Sequence, residues 1–140
     1  MKTAVIYWSG TGNTEKMAEA VAAGARSAGA ETSLLTASEF TAADVQAYDT
    51  LAFGCPAMGA ETLEEDEFAP MFESVKPALK GKKIALFGSY GWGDGEWMRT
   101  WETDCAAAGC VFAADSVTCN EAPDEDALAA CRALGAALGA

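Results

Sequence analysis

The chain has 140 residues, of which 51% are hydrophobic and 21% are charged, so it can form a core and is not a disordered protein. We expect residues 1–140 to form one domain, because domains commonly have this length. With 9 Lys and Arg residues against 21 Asp and Glu residues and no His, the net charge is −12, which disfavours binding to nucleic acid or anionic membranes and favours a basic protein partner.

The predicted elements alternate between short apolar strands and helices. We predict strands at residues 3–8, 31–36, 50–54, 83–89 and 111–118, and helices at residues 14–28, 64–79, 96–108 and 124–138. Gly109 is expected to end the third helix, and Pro123 to lie in the first turn of the last one. This alternation indicates an α/β fold with a doubly wound, five-stranded parallel sheet and helices on both faces.

The cysteines and the lack of histidine limit the possible chemistry. The five cysteines include no CxxC motif, and only Cys105 and Cys110 are close in sequence, which is too few for a zinc or iron–sulfur site. We expect reduced thiols that pack as small apolar residues in a cytoplasmic protein. The longest early apolar run, residues 4–8, is too short for a membrane helix or a signal-peptide core. Without His, Ser-His and Cys-His catalysis are excluded.

The loop after the first strand has the composition of an anion-binding loop. It consists of Ser9, Gly10, Thr11, Gly12, Asn13 and Thr14. Hydroxyl and amide donors at the start of a helix favour a phosphate, but the lysine of a P-loop is missing, and Glu15 stands where a dinucleotide fingerprint has its third glycine. We therefore expect the loop to hold a terminal monophosphate; simple capping of the helix is the alternative.

The loops after the third and fourth strands predict a slot for a flat ring. They contain Pro56, Ala57, Met58, Gly59, Ala60 and Glu61, and then Ser89, Tyr90, Gly91, Trp92 and Gly93. Trp92 lies between glycines in a predicted exposed loop, so its indole can lie on an aromatic ligand, and Met58 can cover the other face. Trp97 and Trp101 are four residues apart on a predicted helix, which favours the core.

These three loops together resemble those of the flavodoxins of the short-chain type. The resemblance rests on SGTGNT, GCPAMG and GSYGWGDGEWM and covers nearly the whole chain. It implies a flavodoxin-like sheet of order 2-1-3-4-5, non-covalently bound FMN, and transfer of single electrons at low potential. The implied partners are redox proteins with basic docking surfaces, such as reductases and ferredoxin-dependent enzymes, and the implied state is a monomer.

The resemblance also implies roles for individual residues. Residues 9–14 would bind the ribityl phosphate with help from the Ser89 hydroxyl. Met58 and Trp92 would sandwich the isoalloxazine ring, Tyr90 and Gly91 would line its pyrimidine edge, and Glu61 would accept a hydrogen bond from the ring N3–H. The Gly59–Ala60 peptide would flip on reduction. If the flipped turn is of type II, Ala60 must take a positive φ, which alanine adopts less readily than glycine.

Acidic residues surround the expected ring site. Glu61 and residues 64–67 place five carboxylates within seven residues. Their field would oppose a negatively charged, fully reduced flavin by a few kcal/mol, which lowers the second reduction potential by on the order of 100 mV. The same residues also suit a solvated helix start, and the two interpretations are compatible.

Other classes of function fit the sequence less well. A flavodoxin-like, FMN-dependent NAD(P)H:quinone or iron reductase would need room for a second substrate, and the chain has no inserts that would provide it. A signalling receiver needs an aspartate at the end of its third strand, where this chain has Gly54 and Cys55. A redox switch at Cys55 would need a basic neighbour to lower the pKa of its thiol, and none is nearby in sequence.

Overall fold

The structure, a computed structural model, describes all 140 residues. Its strands are β1 (Lys2–Tyr7), β2 (Glu31–Thr36), β3 (Thr50–Gly54), β4 (Lys83–Tyr90), β5 (Val111–Phe112) and β6 (Val117–Asn120). Its helices are α1 (Asn13–Ser27), α2 (Phe68–Val75), α3 (Glu96–Ala107) and α4 (Glu125–Gly139). Short 3-10 segments occur at Ala37–Glu39, Ala42–Ala47 and Lys76–Leu79. None of the helices combines the length and the apolar character needed to cross a membrane.

The sheet is parallel, with the order β2-β1-β3-β4 and then β5 and β6 together on the outer side of β4. This confirms the predicted order 2-1-3-4-5, and the second and third strands have the predicted bounds. Tyr7 of β1 pairs with Gly54 of β3, which in turn pairs with Phe87 of β4. The ladder therefore brings the loops that follow these three strands to one edge of the sheet.

The predicted last strand, residues 111–118, is not continuous. β5 pairs with the start of β4 at Lys83 and Ile84, and β6 pairs with its end at residues 87–90. Between them the chain leaves the ladder, and the Ser116 hydroxyl donates a hydrogen bond to Glu102 of α3 at 2.7 Å. Ser116 thus has a partner outside the sheet at the point where the strand is interrupted.

The helix predicted at residues 64–79 begins only at Phe68 and changes to 3-10 geometry at Lys76. Pro70 lies in the first turn of α2, where a missing N–H costs nothing, whereas Pro77 cannot continue an α-helix.

Pro123, which was expected in the first turn of the last helix, does not lie within α4. It precedes the N-cap residue Asp124, whose carboxylate accepts a hydrogen bond from the Ala127 N–H at 2.8 Å.

Two apolar cores cover the two faces of the sheet. One lies under α2 and α3 and contains Trp97 and Trp101, each 2% exposed, as the sequence predicts. The other lies under α1 and α4. These two helices approach so closely that a Cβ atom at Gly135 of α4 would overlap the Val21 carbonyl of α1, so glycine is required there.

Glu64 organises the acidic segment before α2. Its buried carboxylate accepts hydrogen bonds from the N–H groups of Asp66, Glu67 and Phe68, each at 2.8 Å. Burial opposes ionisation of Glu64, but the three N–H donors outweigh it and hold the pKa of this carboxyl below its usual value. One of the five predicted surface carboxylates is thus an internal cap that shapes the segment before α2.

We expect Glu64→Ala to lower the free energy of unfolding by about 2 kcal/mol, because it leaves three N–H donors without an acceptor. Because the folded pKa is lowered, the stabilisation by Glu64 is present above about pH 4.5 and is lost as the pH falls below it. Urea unfolding at pH 7 and at lower pH measures both effects.

Glu65→Ala, at an exposed neighbour, is the control and should change the free energy of unfolding little. Glu64→Gln keeps an oxygen acceptor and should lose less stability than Glu64→Ala. Equal stability of Glu64→Ala and Glu65→Ala would contradict the capping role.

Candidate functional site

Three loops meet at the carboxyl edge of the sheet, after β1, β3 and β4. Backbone hydrogen bonds tie them together: the Trp8 N–H donates to the Gly54 carbonyl at 3.0 Å, and the Ala57 N–H donates to the Ser89 carbonyl at 3.0 Å. Between them lies a cavity of about 250 Å³, which we call the carboxyl-edge cleft. The topology thus places the cleft where doubly wound sheets bind ligands.

Most of the residues singled out by the sequence line this cleft. Those that do not line it are Gly12, Gly59, Ala60, Glu61, Trp92 and Gly93. Two residues that the sequence analysis missed, Trp8 and Glu121, do line it. Trp8 directly precedes the anion-binding loop and could have been included on that ground. Glu121 follows β6, and only the pairing of β6 with β4 brings it to the cleft.

The loop of residues 9–14 carries hydrogen-bond donors that have no partner in the chain. The Ser9 hydroxyl oxygen accepts from the N–H groups of Gly12 at 3.1 Å and Glu15 at 3.2 Å, which folds the loop onto the start of α1. The N–H groups of Thr11, Asn13 and Thr14 donate to no group of the protein. The Thr14 hydroxyl is buried and also has no partner. This donor set suits an anion.

The loop after β3 is a tight turn that positions Glu61. The Glu61 N–H donates to the Met58 carbonyl at 2.8 Å, and the Met58 N–H donates to the Thr62 carbonyl at 2.9 Å. Glu61 itself has a left-handed conformation with φ of 53°. Ala60 has no positive φ, so the type II turn considered for it is not the conformation seen here.

The Glu61 side chain packs against the loop after β4. Its Oε1 atom is buried and has no hydrogen-bond partner. A Cβ atom at Gly93 would lie 2.5 Å from that oxygen, and Gly93 has a φ of +88°, so glycine alone fits beside this carboxylate. The Glu61 Oε1 atom is thus an unpaired acceptor that lies against the loop after β4, outside the lining of the cleft.

The loop after β4 is held by the last residue of β6 and the residue that follows it. The Asn120 side chain donates to the carbonyls of Tyr90 at 3.2 Å and Gly91 at 3.3 Å. The Ser89 hydroxyl donates to the Glu121 carbonyl at 2.6 Å, so its proton is committed within the protein. The Ser89 contact with a phosphate therefore stays a prediction, and in this conformation its hydroxyl oxygen could only accept.

The two predicted ring-stacking residues differ in their surroundings. Met58 is half-buried and lies in the cleft wall. Trp92 is 65% exposed, more than any other large apolar side chain of the chain. An indole with so much exposed surface contributes little to the core, and its contact with a ring stays a prediction.

Cys55 lies directly before Pro56 of the cleft but is unsuited to redox chemistry. Its thiol is completely buried, and burial raises its pKa to about 12. The thiol donates to the Pro56 carbonyl at 3.6 Å and accepts from the Glu64 N–H at 3.3 Å. Cys55 is therefore a structural residue that links the loop after β3 to the acidic segment.

The doubly wound parallel sheet, with unpaired donors and an apolar wall at its carboxyl edge, defines an α/β protein whose ligand site is expected at that edge. The family model described as Flavodoxin matches residues 5–135. The flavodoxin of Clostridium beijerinckii is 46% identical over 121 residues, which are 86% of this chain and 88% of that protein. The flavodoxin of Megasphaera elsdenii is 43% identical over 133 residues and 95% of each chain.

A solved structure agrees with these sequence matches. The solution structure of the two-electron-reduced Megasphaera elsdenii flavodoxin superposes with a TM-score of 0.89, at 42% identity and over 98% of each chain. The chain belongs to the flavodoxin family and has the short-chain size. Its function is electron transfer on a flavin to redox partner proteins, without turnover of a substrate of its own.

Proposed function

We propose that this protein carries one electron at a time, at low potential, on non-covalently bound FMN held in the carboxyl-edge cleft. The observation that carries the proposal is the buried Thr14 hydroxyl without a partner, beside unpaired N–H groups of the loop of residues 9–14. Buried donors are rarely left unsatisfied in folded proteins, so their natural partner is a ligand anion. The phosphate distinguishes FMN from riboflavin.

The residues present fit that phosphate without a cation. The loop contains no Lys or Arg, and the chain has a net charge of −12. The donors are three backbone N–H groups, the Thr14 hydroxyl and the Ser9 hydroxyl, whose oxygen already accepts two bonds and whose proton is free to donate. Neutral donors at the start of α1, together with the helix dipole, hold an anion by direct hydrogen bonds.

The other residues of the cleft fit a flat ring. Met58 and Trp92 would cover its two faces. Tyr90 and Gly91 would lie along one edge. The loops around the ring would also contain Pro56, Ala57, Gly59, Ala60 and Gly93. The unpaired Glu61 carboxylate would accept the ring N–H. FMN, when bound, supplies the one-electron chemistry, while the protein supplies binding, orientation and electrostatics.

The acidic segment beside the cleft, residues 64–67, would lower the reduction potential of a bound flavin. The pKa of Glu64 is lowered, so this carboxylate is charged at neutral pH although it is buried. Exposed Glu65, Asp66 and Glu67 add to the same field. These charges oppose any added negative charge in the cleft and so favour a low reduction potential, by on the order of 100 mV.

An FMN-dependent NAD(P)H:quinone or iron reductase is not favoured. The matched relatives are flavodoxins along nearly their whole length, and the chain adds no segment that would form a second substrate site.

Stepwise anaerobic reduction of the FMN-loaded protein, followed by absorption, tests the proposed function. Two separate one-electron steps are expected, and NADPH alone should not reduce the protein. Rapid oxidation of NADPH by the isolated protein would instead support the reductase.

We propose that the partner docks on the acidic face beside the cleft as a basic protein, with this chain acting as a monomer. A groove of about 810 Å³ lies between the residues 61–69 segment and α3. Its walls include Glu61, Glu65, Glu96 and Asp104, while its one cation, Arg99, is paired with Asp94 at 2.9 Å. Charge complementarity of this kind speeds the encounter with a basic partner.

Thr14→Val keeps the side-chain shape but removes the unpaired hydroxyl. We expect the Kd for FMN to rise by about 10-fold, since a hydrogen bond to a charged group contributes about 1.5 kcal/mol or more, while the Kd for riboflavin changes little. Fluorescence titration of the apoprotein with each flavin measures this difference. Thr103→Val, which removes a hydroxyl bonded to the Arg99 carbonyl of α3, is the control. Equal losses for both flavins would contradict the phosphate assignment.

Trp92→Ala should raise the Kd for FMN by about 3- to 10-fold, which corresponds to the loss of one aromatic contact. Because Trp92 is mostly exposed, the free energy of unfolding of the apoprotein should stay unchanged. Flavin titration and urea unfolding separate the two effects. Phe112→Ala, at another exposed aromatic residue, should leave the Kd unchanged. An unchanged Kd in Trp92→Ala would remove Trp92 from the site.

Electron transfer from the reduced protein to a basic c-type cytochrome should slow steeply as salt rises, because salt screens the attraction between the two surfaces. The double variant Glu65→Lys and Glu96→Lys should lower the second-order rate constant at low salt and flatten its salt dependence. The double variant Glu31→Lys and Asp126→Lys, at two exposed positions outside the groove, makes the same change in net charge. It is the matched control and should have a smaller effect. Stopped-flow absorption measures the rates, and equal effects of the two variants would argue against docking on this face.

A further inference from the structure

The C-terminal end of α3 brings two cysteines together. The Cys110 N–H donates to the Cys105 carbonyl at 3.1 Å, and the Gly109 N–H donates to the Ala106 carbonyl at 3.1 Å. Gly109 has a φ of +88°. These two bonds and the left-handed glycine form a Schellman motif, in which the side chains of the third-last helical residue and of the residue after the glycine contact each other. In this chain both side chains are thiols.

The two thiols have different surroundings and interact with each other. Cys105 is completely buried in the core under α2 and α3, whereas Cys110 is half-buried. The neighbouring Cys110 thiol, together with burial, raises the pKa of Cys105, and the neighbouring Cys105 thiol lowers the pKa of Cys110. Cys110 is therefore the accessible nucleophile, and Cys105 is the second thiol that can complete an exchange.

We propose that Cys105 and Cys110 form a redox-active dithiol that low-molecular-weight disulfides oxidise to an intrachain disulfide. In the first exchange the Cys110 thiolate attacks the small disulfide, forms a mixed disulfide and releases one small thiol. In the second, the Cys105 sulfur attacks the Cys110 sulfur of the mixed disulfide and releases the other small thiol. The protein loses two electrons and two protons, and the small disulfide gains them.

The other three cysteines lack this arrangement. Cys55 and Cys131 are completely buried, and burial raises the pKa of each to about 12. Cys119 is half-buried, but its thiol contacts the Met17 sulfur at 3.6 Å and the Glu121 carbonyl at 3.7 Å. The reaction is therefore expected to select Cys105 and Cys110 among five thiols.

The dithiol lies at the opposite edge of the sheet from the carboxyl-edge cleft. The Gly81 N–H, just before β4, donates to the Gly109 carbonyl at 2.8 Å, and the Val111 N–H donates to the Lys82 carbonyl at 2.9 Å. These bonds place the pair beside the start of β4, whereas the cleft lies at the strand's other end. The inference therefore does not depend on the proposed function, and oxidation should leave flavin binding unchanged.

In the test, the folded holoprotein is incubated with mixtures of oxidised and reduced glutathione, and the reaction is quenched with acid. Free thiols are then alkylated with iodoacetamide under denaturing conditions, and the peptides are identified by mass spectrometry. We expect a peptide that contains Cys105 and Cys110, lighter by the two hydrogens lost on disulfide formation, with the other three cysteines alkylated. The variant Cys105→Ala should stop at a glutathione adduct on Cys110, and Cys110→Ala should stay unmodified.

Cys119→Ala, which removes the other half-buried thiol, is the control and should form the same disulfide as the natural sequence. Circular dichroism and FMN content establish that each variant is folded. A stable glutathione adduct on Cys110 with Cys105 still alkylated would overturn the proposal. A disulfide between Cys119 and Cys131, or five alkylated cysteines after treatment with oxidised glutathione, would overturn it as well.

Discussion

The parallel ladder of β1, β3 and β4 is the constraint on which the site depends. Because Tyr7, Gly54 and Phe87 are paired across three neighbouring strands, three loops that are far apart in sequence start at the same edge. Each loop then leaves the sheet with backbone groups that the ladder no longer satisfies. Cross-loop hydrogen bonds satisfy some of these groups, and the N–H groups that remain without a partner lie in the loop of residues 9–14.

A strongly acidic protein of the flavodoxin family has two electrostatic tasks, which are to hold its flavin and to meet its redox partners. The loop of residues 9–14 offers unpaired N–H and hydroxyl donors, which can hold an anion without lowering the net negative charge of the surface. The acidic segment after β3 is kept rigid by Glu64, whose three accepted hydrogen bonds fix the residues that follow. Under the proposed function, the same negative charge would act on both the cofactor and a basic partner.

Local patterns accounted for much of this structure. The strands at residues 31–36 and 50–54 and the burial of Trp97 and Trp101 follow from apolar runs and helical spacing, which depend only on neighbouring residues. The interrupted last strand could not be predicted in this way. At the interruption Ser116 meets Glu102 of α3, and no local pattern contains such a contact between two elements.

The sequence by itself determined the fold class and singled out three loops, because turn glycines, hydroxyl donors and apolar periodicity are local properties. The sheet order followed from the resemblance of those loops to the flavodoxins. Only the tertiary structure decided that Glu64 is an internal cap, that Glu121 lines the cleft, and that the Ser89 proton is already used. It also decided that Cys105 and Cys110 meet, through the helix end that Gly109 shapes. The physical reason is that burial and hydrogen-bond partners depend on distances in space, which the order of residues does not state.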